Sequence, residues 1–82
     1  MLFRSYILEK DYKKAKEFSE QSLRKLPNNP VLWLNLAIAN YQLGDNKGAL
    51  VAAKNSYQLL PGEQAAYVYS ALSQGRELKF EE

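Results

Sequence analysis

The sequence predicts an all-α fold of about five helices stacked as antiparallel helix-turn-helix repeats, and three observations predict it. First, the chain matches itself when shifted by 34 residues: Leu2/Leu36, Asp11/Asp45, Lys13/Lys47, Ala15/Ala49, Ser22/Ser56, Leu26/Leu60 and Pro27/Pro61 coincide, and Ala37/Ala71 follows one step on. Second, capping and breaking residues recur at the joints of that period. Third, no stretch alternates apolar and polar residues with the period of two that a half-buried strand requires.

The elements follow in order from local chemistry. A first helix runs through about Glu9, and Asp11 caps a second from Tyr12 to about Lys25, which closes on Leu26-Pro27. Asn29 is a good N-cap, and Pro30 suits the first helical position, where a missing N–H costs nothing. The third helix then runs to Gly44, fit for a left-handed C-terminal turn, and Asp45 caps a fourth that Pro61 stops because proline cannot continue the hydrogen-bond ladder. A last helix spans about 63–79. The chain thus reads as one domain: unit 1 over about 1–27, unit 2 over about 30–61, then the C-terminal helix.

Alanine recurs at Ala15, Ala37, Ala49 and Ala71, where stacked hairpins need close backbone approach without glycine's cost of up to ~1 kcal/mol in a helix. The period and these residues resemble the tetratricopeptide repeat, whose pattern is W-x-x-L-G-x-x-Y, then A-x-x-x-F, then P. Unit 2 offers Trp33, Leu36, Ala37, the Gly44-Asp45 turn, Ala49 and Pro61; unit 1 offers Leu2, Phe3, Tyr6, Asp11, Ala15 and Pro27. Asn40 stands where a tyrosine is usual, and Ser19 and Ala53 where a large aromatic is usual, with Phe18 one residue early. The resemblance implies a right-handed superhelical stack that binds proteins, the first helices of each unit lining its concave surface. Trp33, on the hairpin side of its helix, is expected to pack in the core, its ring forming part of the interhelix contact. Tyr57 and Tyr67 are expected to be structural too.

Composition narrows the chemistry. With no cysteine and no histidine there is no disulfide, no thiol nucleophile, and neither the commonest metal ligand nor the commonest general base. Phosphate-loop, zinc-protease and nucleophile-elbow motifs are missing, so the expectation is a non-enzymatic module without metal or cofactor. Formal charge is +2, and the basic residues are interleaved with acidic ones at Lys13/Glu17, Lys16/Glu20 and Glu20/Arg24, which reads as a solvated helix face and not as a nucleic-acid stripe. Pentatricopeptide repeats, which read RNA, have a period of 35 and a basic, polar groove; neither fits.

The opening MLFRSYIL is too short to span a membrane, and Arg4 breaks the apolar run an export signal needs. It reads as the rear of a first helix, about five residues of which would precede Met1, and a larger parent protein is the expected source of its cover, a partner chain the alternative. Without a signal or span, a cytoplasmic setting is favoured for the segment.

A positive argument for binding comes from the helix after Pro30. Trp33, Leu36, Ala37 and Asn40 serve one face; Val31, Leu34, Ile38, Tyr41 and Gln42 form a second, largely apolar row, so this helix expects cover on most of its circumference. The 34-residue step extends that row to Arg4, Ile7 and Leu8 before it, and to Ala65, Val68, Tyr69 and Leu72 after it. The expected site is a groove for an apolar or amphipathic peptide or helix. Asn35 matches one asparagine of the family's carboxylate clamp. Arg4, Ala65 and Tyr69 replace other members, so no carboxylate-dependent binding is expected. A homodimer joining open faces is the alternative to a foreign peptide.

Overall fold

In a computed structural model, which describes residues 11–78, the chain forms four helices: α1 (Tyr12–Lys25), α2 (Pro30–Gln42), α3 (Asn46–Leu59) and α4 (Glu63–Ser73). There are no strands among the described residues. These are the second to fifth helices expected from the sequence; the first, through about Glu9, lies outside the described residues.

Three of the four starts are set by a side-chain cap. The Asp11 carboxylate accepts from the Lys14 amide at 3.3 Å, and Asp45, one period on, accepts from the Gly48 amide at 2.9 Å. Asn29 accepts from both Val31 and Leu32, at 3.0 and 3.3 Å, with Pro30 at the first helical position. Such caps satisfy N–H groups that have no partner inside the helix, and each contributes about 1 kcal/mol. α4 starts from Gly62 without a side-chain cap, and Glu63 in its first turn favours the helix dipole instead.

The ends come in two kinds. α1 and α3 stop before Leu-Pro, where the Leu26 and Leu60 amides donate to Ser22 and Ser56 oxygens at 2.8 and 2.9 Å. α2 and α4 end in left-handed glycines, Gly44 at φ 88° and Gly75 at φ 71°. After α2, the Asp45 amide reaches Asn40 O at 2.8 Å and Gly44 reaches Tyr41 O at 3.1 Å. After α4, Arg76 reaches Ala71 O at 2.7 Å and Gly75 reaches Leu72 O at 3.3 Å. Both are the paired closing bonds of a Schellman turn. The last helix therefore stops at Ser73 and not near Lys79 as the sequence suggested, because Gly75 terminates it nearly two turns early.

Packing runs along the chain: α2 lies between α1 and α3, α4 packs on α3, and α4 also touches α2. The seams are alanine, with Ala15, Ala37, Ala49 and Ala53 fully excluded from solvent. Leu23, Leu32, Leu36, Val68 and Leu78 fill the remaining core, with Phe18 and Trp33 half-buried against it. Ser19 and Ala53, which stand where an aromatic is usual, are wholly buried, so the helices meet there too closely for a ring. Among the described residues no helix is long and apolar enough to cross a membrane.

Two consequences for stability can be measured. The Ser19 hydroxyl is buried without a hydrogen-bond partner among the described residues, so Ser19→Ala removes a desolvated polar group. It is expected to stabilise by about 1 kcal/mol and to raise Tm by roughly 4–8 °C in calorimetry. Gly48 is a close-approach site: a Cβ there would lie 2.5 Å from Asp45 Oδ2 and 3.0 Å from Asn40 Nδ2. Gly48→Ala should therefore displace the Asp45 cap, and the usual gain of up to ~1 kcal/mol for alanine in a helix should be cancelled. In urea titrations Asp45→Ala is expected to cost about 1 kcal/mol in the native chain and little in the Gly48→Ala background.

Candidate peptide-binding groove

The second apolar row of α2 is a stripe because residues 31, 34, 38 and 41 are spaced by three and four along a helix of 3.6 residues per turn. Its two ends meet different surroundings. At the N-terminal end a depression of about 330 Å³ opens between helix ends. Pro30, Val31 and Leu34 of α2 form one wall, Ser56 and Leu60 from the end of α3 the floor and rim, and Gly62 to Ala65 at the start of α4 the far wall. That volume is at the lower end of the ~300–1,000 Å³ range of ligand pockets.

The floor is held by a long-range bond: Ser56 Oγ donates to Pro30 O at 2.8 Å, tying the last turn of α3 to the first of α2. Val31 and Leu60, 47% and 59% exposed, present apolar surface at the mouth. Among the described residues of the lining, Glu63 alone is charged.

The other end is closed. Beyond the Gly75 turn the chain returns toward α2, and the Leu78 amide donates to the Tyr41 hydroxyl at 3.2 Å. The Leu78 side chain is 5% exposed and belongs to the core. Between the two ends Ile38 is half-buried, and Gln42, just past Tyr41, is exposed.

Asn35 is buried and spends its amide on its own helix, donating to Val31 O at 2.8 Å. On α4, Ala65 faces the depression, while Val68, 3% exposed, is part of the core. Tyr69 stacks in a tilted pair with Tyr57 of α3 at 5.9 Å between ring centres, and Leu72 is half-buried against the core. The structure thus joins Val31, Leu34 and Ala65 in one open site and engages Tyr41, Val68 and Tyr69 in internal contacts. Arg4, Ile7 and Leu8 lie outside the described residues.

Leu60, Ser56 and Glu63 join the site without having been singled out from the sequence. The available signal was Leu60-Pro61, which sets a bulky apolar side chain at a helix end just before the chain turns toward α4. Trp33 packs against the core as expected, and its ring N–H reaches back to Pro27 O at 2.8 Å, fixing the connection that leads into α2.

Helical hairpins repeated along the chain, the Asp-capped second helices and the left-handed turn after α2 all agree with a family comparison: the tetratricopeptide repeat model matches residues 6–74. The chain belongs to the tetratricopeptide repeat family. Tetratricopeptide repeats are non-catalytic modules that generally mediate protein–protein interaction. No curated protein and no solved structure matches the chain. Within the repeat frame the depression lies where two successive first helices, α2 and α4, approach each other.

The tie between Ser56 and Pro30 gives the site's floor a measurable weight. Ser56→Ala is expected to destabilise the chain by about 1 kcal/mol in urea unfolding, since it removes one buried hydrogen bond while leaving helix α3 its propensity.

Proposed function

We propose that this tetratricopeptide module binds an extended apolar peptide segment, seating one or two branched or aromatic side chains in the depression between the starts of α2 and α4, and performs no catalysis. The observation that carries this reading is the depression itself, with Val31 and Leu60 exposed at its mouth. Exposed apolar side chains around a concavity gain about 25 cal/mol per Å² of apolar surface when a ligand covers them.

The charge of the site sets what kind of peptide fits. Among the described residues the charged lining group is a carboxylate, Glu63, and no described lysine or arginine lines the depression. A free C-terminal carboxylate finds no cation there and pays desolvation without compensation. An internal apolar segment, or one followed by a basic residue, suits it better. The protein is thus a scaffold module whose partner is recognised by side-chain shape.

Selection from a displayed peptide library tests the reading. Selected peptides are expected to share apolar residues and to bind the Leu34→Arg chain at least about tenfold more weakly, because one lost apolar contact of roughly 1.4 kcal/mol is a factor of ten. Tyr67→Ser, on another flank of α4, should leave affinity unchanged, and circular dichroism should show both variants folded. Amidating the peptides' C-termini should make no difference. Equal binding to native and Leu34→Arg chains would reject the site.

A further inference from the structure

The Tyr41 end of the α2 stripe is covered by the chain's own residues after α4. The 34-residue step from Gly44 arrives at Leu78, yet the left-handed glycine stands three residues earlier, at Gly75. α4 is accordingly shorter than α2, 11 residues against 13, and the chain emerges from its last turn early. Leu78 then folds inward, 5% exposed, with its amide on the Tyr41 hydroxyl. Tyr41 is the last apolar member of the same α2 stripe that lines the open depression.

We propose that residues 74–78 form an autoinhibitory strap: an intramolecular peptide seated on the Tyr41 end of the groove, which a ligand must displace to use the groove's full length. The inference rests on the peptide-binding reading and adds to it the chemistry of the ligand. An incoming segment that lifts the strap replaces what Leu78 supplies, a backbone N–H for the Tyr41 hydroxyl and a branched apolar side chain for the core.

The strap's attachments divide into a firm hinge and a light latch. At the hinge, Arg76 N–H reaches Ala71 O at 2.7 Å, Gly75 N–H reaches Leu72 O at 3.3 Å, and the Arg76 guanidinium donates to Ser70 Oγ at 3.3 Å. Among the described residues the latch has one buried leucine and one neutral hydrogen bond at 3.2 Å. Seating one leucine and one such bond favours the closed form by about tenfold to a hundredfold. Apparent affinity falls by the fraction of chains in which the strap is open.

Two measurements on the full chain test this. Amide hydrogen exchange reads the latch directly. The Leu78 amide is expected to exchange at least about tenfold more slowly than in an unstructured peptide, and Tyr41→Phe should abolish that slowing. Exchange of Leu78 at the unstructured rate in the native chain would overturn the strap.

Binding of a fluorescent synthetic peptide with the sequence of residues 74–82 reads the gate. It should bind Leu78→Ser about tenfold or more tightly than the native chain, because the variant's own strap no longer competes. Gly75→Ala provides a second variant that spares the core: its Cβ would meet nothing within 4 Å, so it weakens only the hinge, through the positive φ of 71°. Circular dichroism verifies that both variants fold. Equal binding to native and variant chains, or binding to none of them, overturns the gate. Failure of library-derived peptides to depend on Leu34 would instead overturn the groove, whatever the strap does.

Discussion

Close approach of helices at alanine is the constraint on which the rest of this structure depends. Ala15, Ala37, Ala49 and Ala53 are 0% exposed, and Ala52 and Ala71 1%. A small chain has little volume to enclose, so it gains burial by bringing backbones together instead of filling a wide core with large side chains. Once the backbones are close, even small groups become decisive. Gly48 has no room for a methyl group beside the Asp45 cap, and Ser19 is buried with its hydroxyl unsatisfied among the described residues. The large side chains are displaced to the margins of the seams, where Leu34, Tyr41, Tyr69 and Leu72 are only half-buried against the core. The half-exposed margin between α2 and α4 is where the candidate site lies.

Much of this fold was legible because its signals are local. Asp11, Asn29 and Asp45 cap helices at the positions their chemistry suggests, since a side-chain oxygen near free N–H groups needs no tertiary information to act. Periodicity supplied the hairpin order for the same reason. The end of the last helix was misjudged where two local signals competed: the repeat step carried the helix to about Lys79, and the glycine at position 75, which ends it, was passed over.

The site was legible only in part, and the reason is geometric. A helix apolar around most of its circumference, as α2 is, does not say which neighbour covers which face. The sequence joined Val31, Leu34, Val68 and Tyr69 into one row, whereas the fold turns Val68 into the core and pairs Tyr69 with Tyr57 of α3. Conversely, Ser56 and Leu60 come to the site from the far end of α3, through a bond that spans 26 residues of sequence. Contacts of that kind follow from packing and have no one-dimensional signature.

The two ends of the α2 stripe differ in stiffness, and that difference decides how a ligand would meet them. At the Val31 end the backbone is fixed by the Asn29 cap, the Ser56 tie and the Trp33 bond to Pro27, all formed by side chains of the helical framework itself. A site held in this way is preformed, so a ligand spends little of its binding energy ordering it. At the Tyr41 end the cover is a short non-helical segment reached through a left-handed turn, with one hydrogen bond beyond the hinge among the described residues. Such a segment opens at a small fraction of the free energy needed to unfold a helix. On the proposed peptide-binding reading, a ligand would dock first where the framework is rigid and extend second toward the strap, so residues at its leading end would set initial capture and those at its trailing end how long it stays.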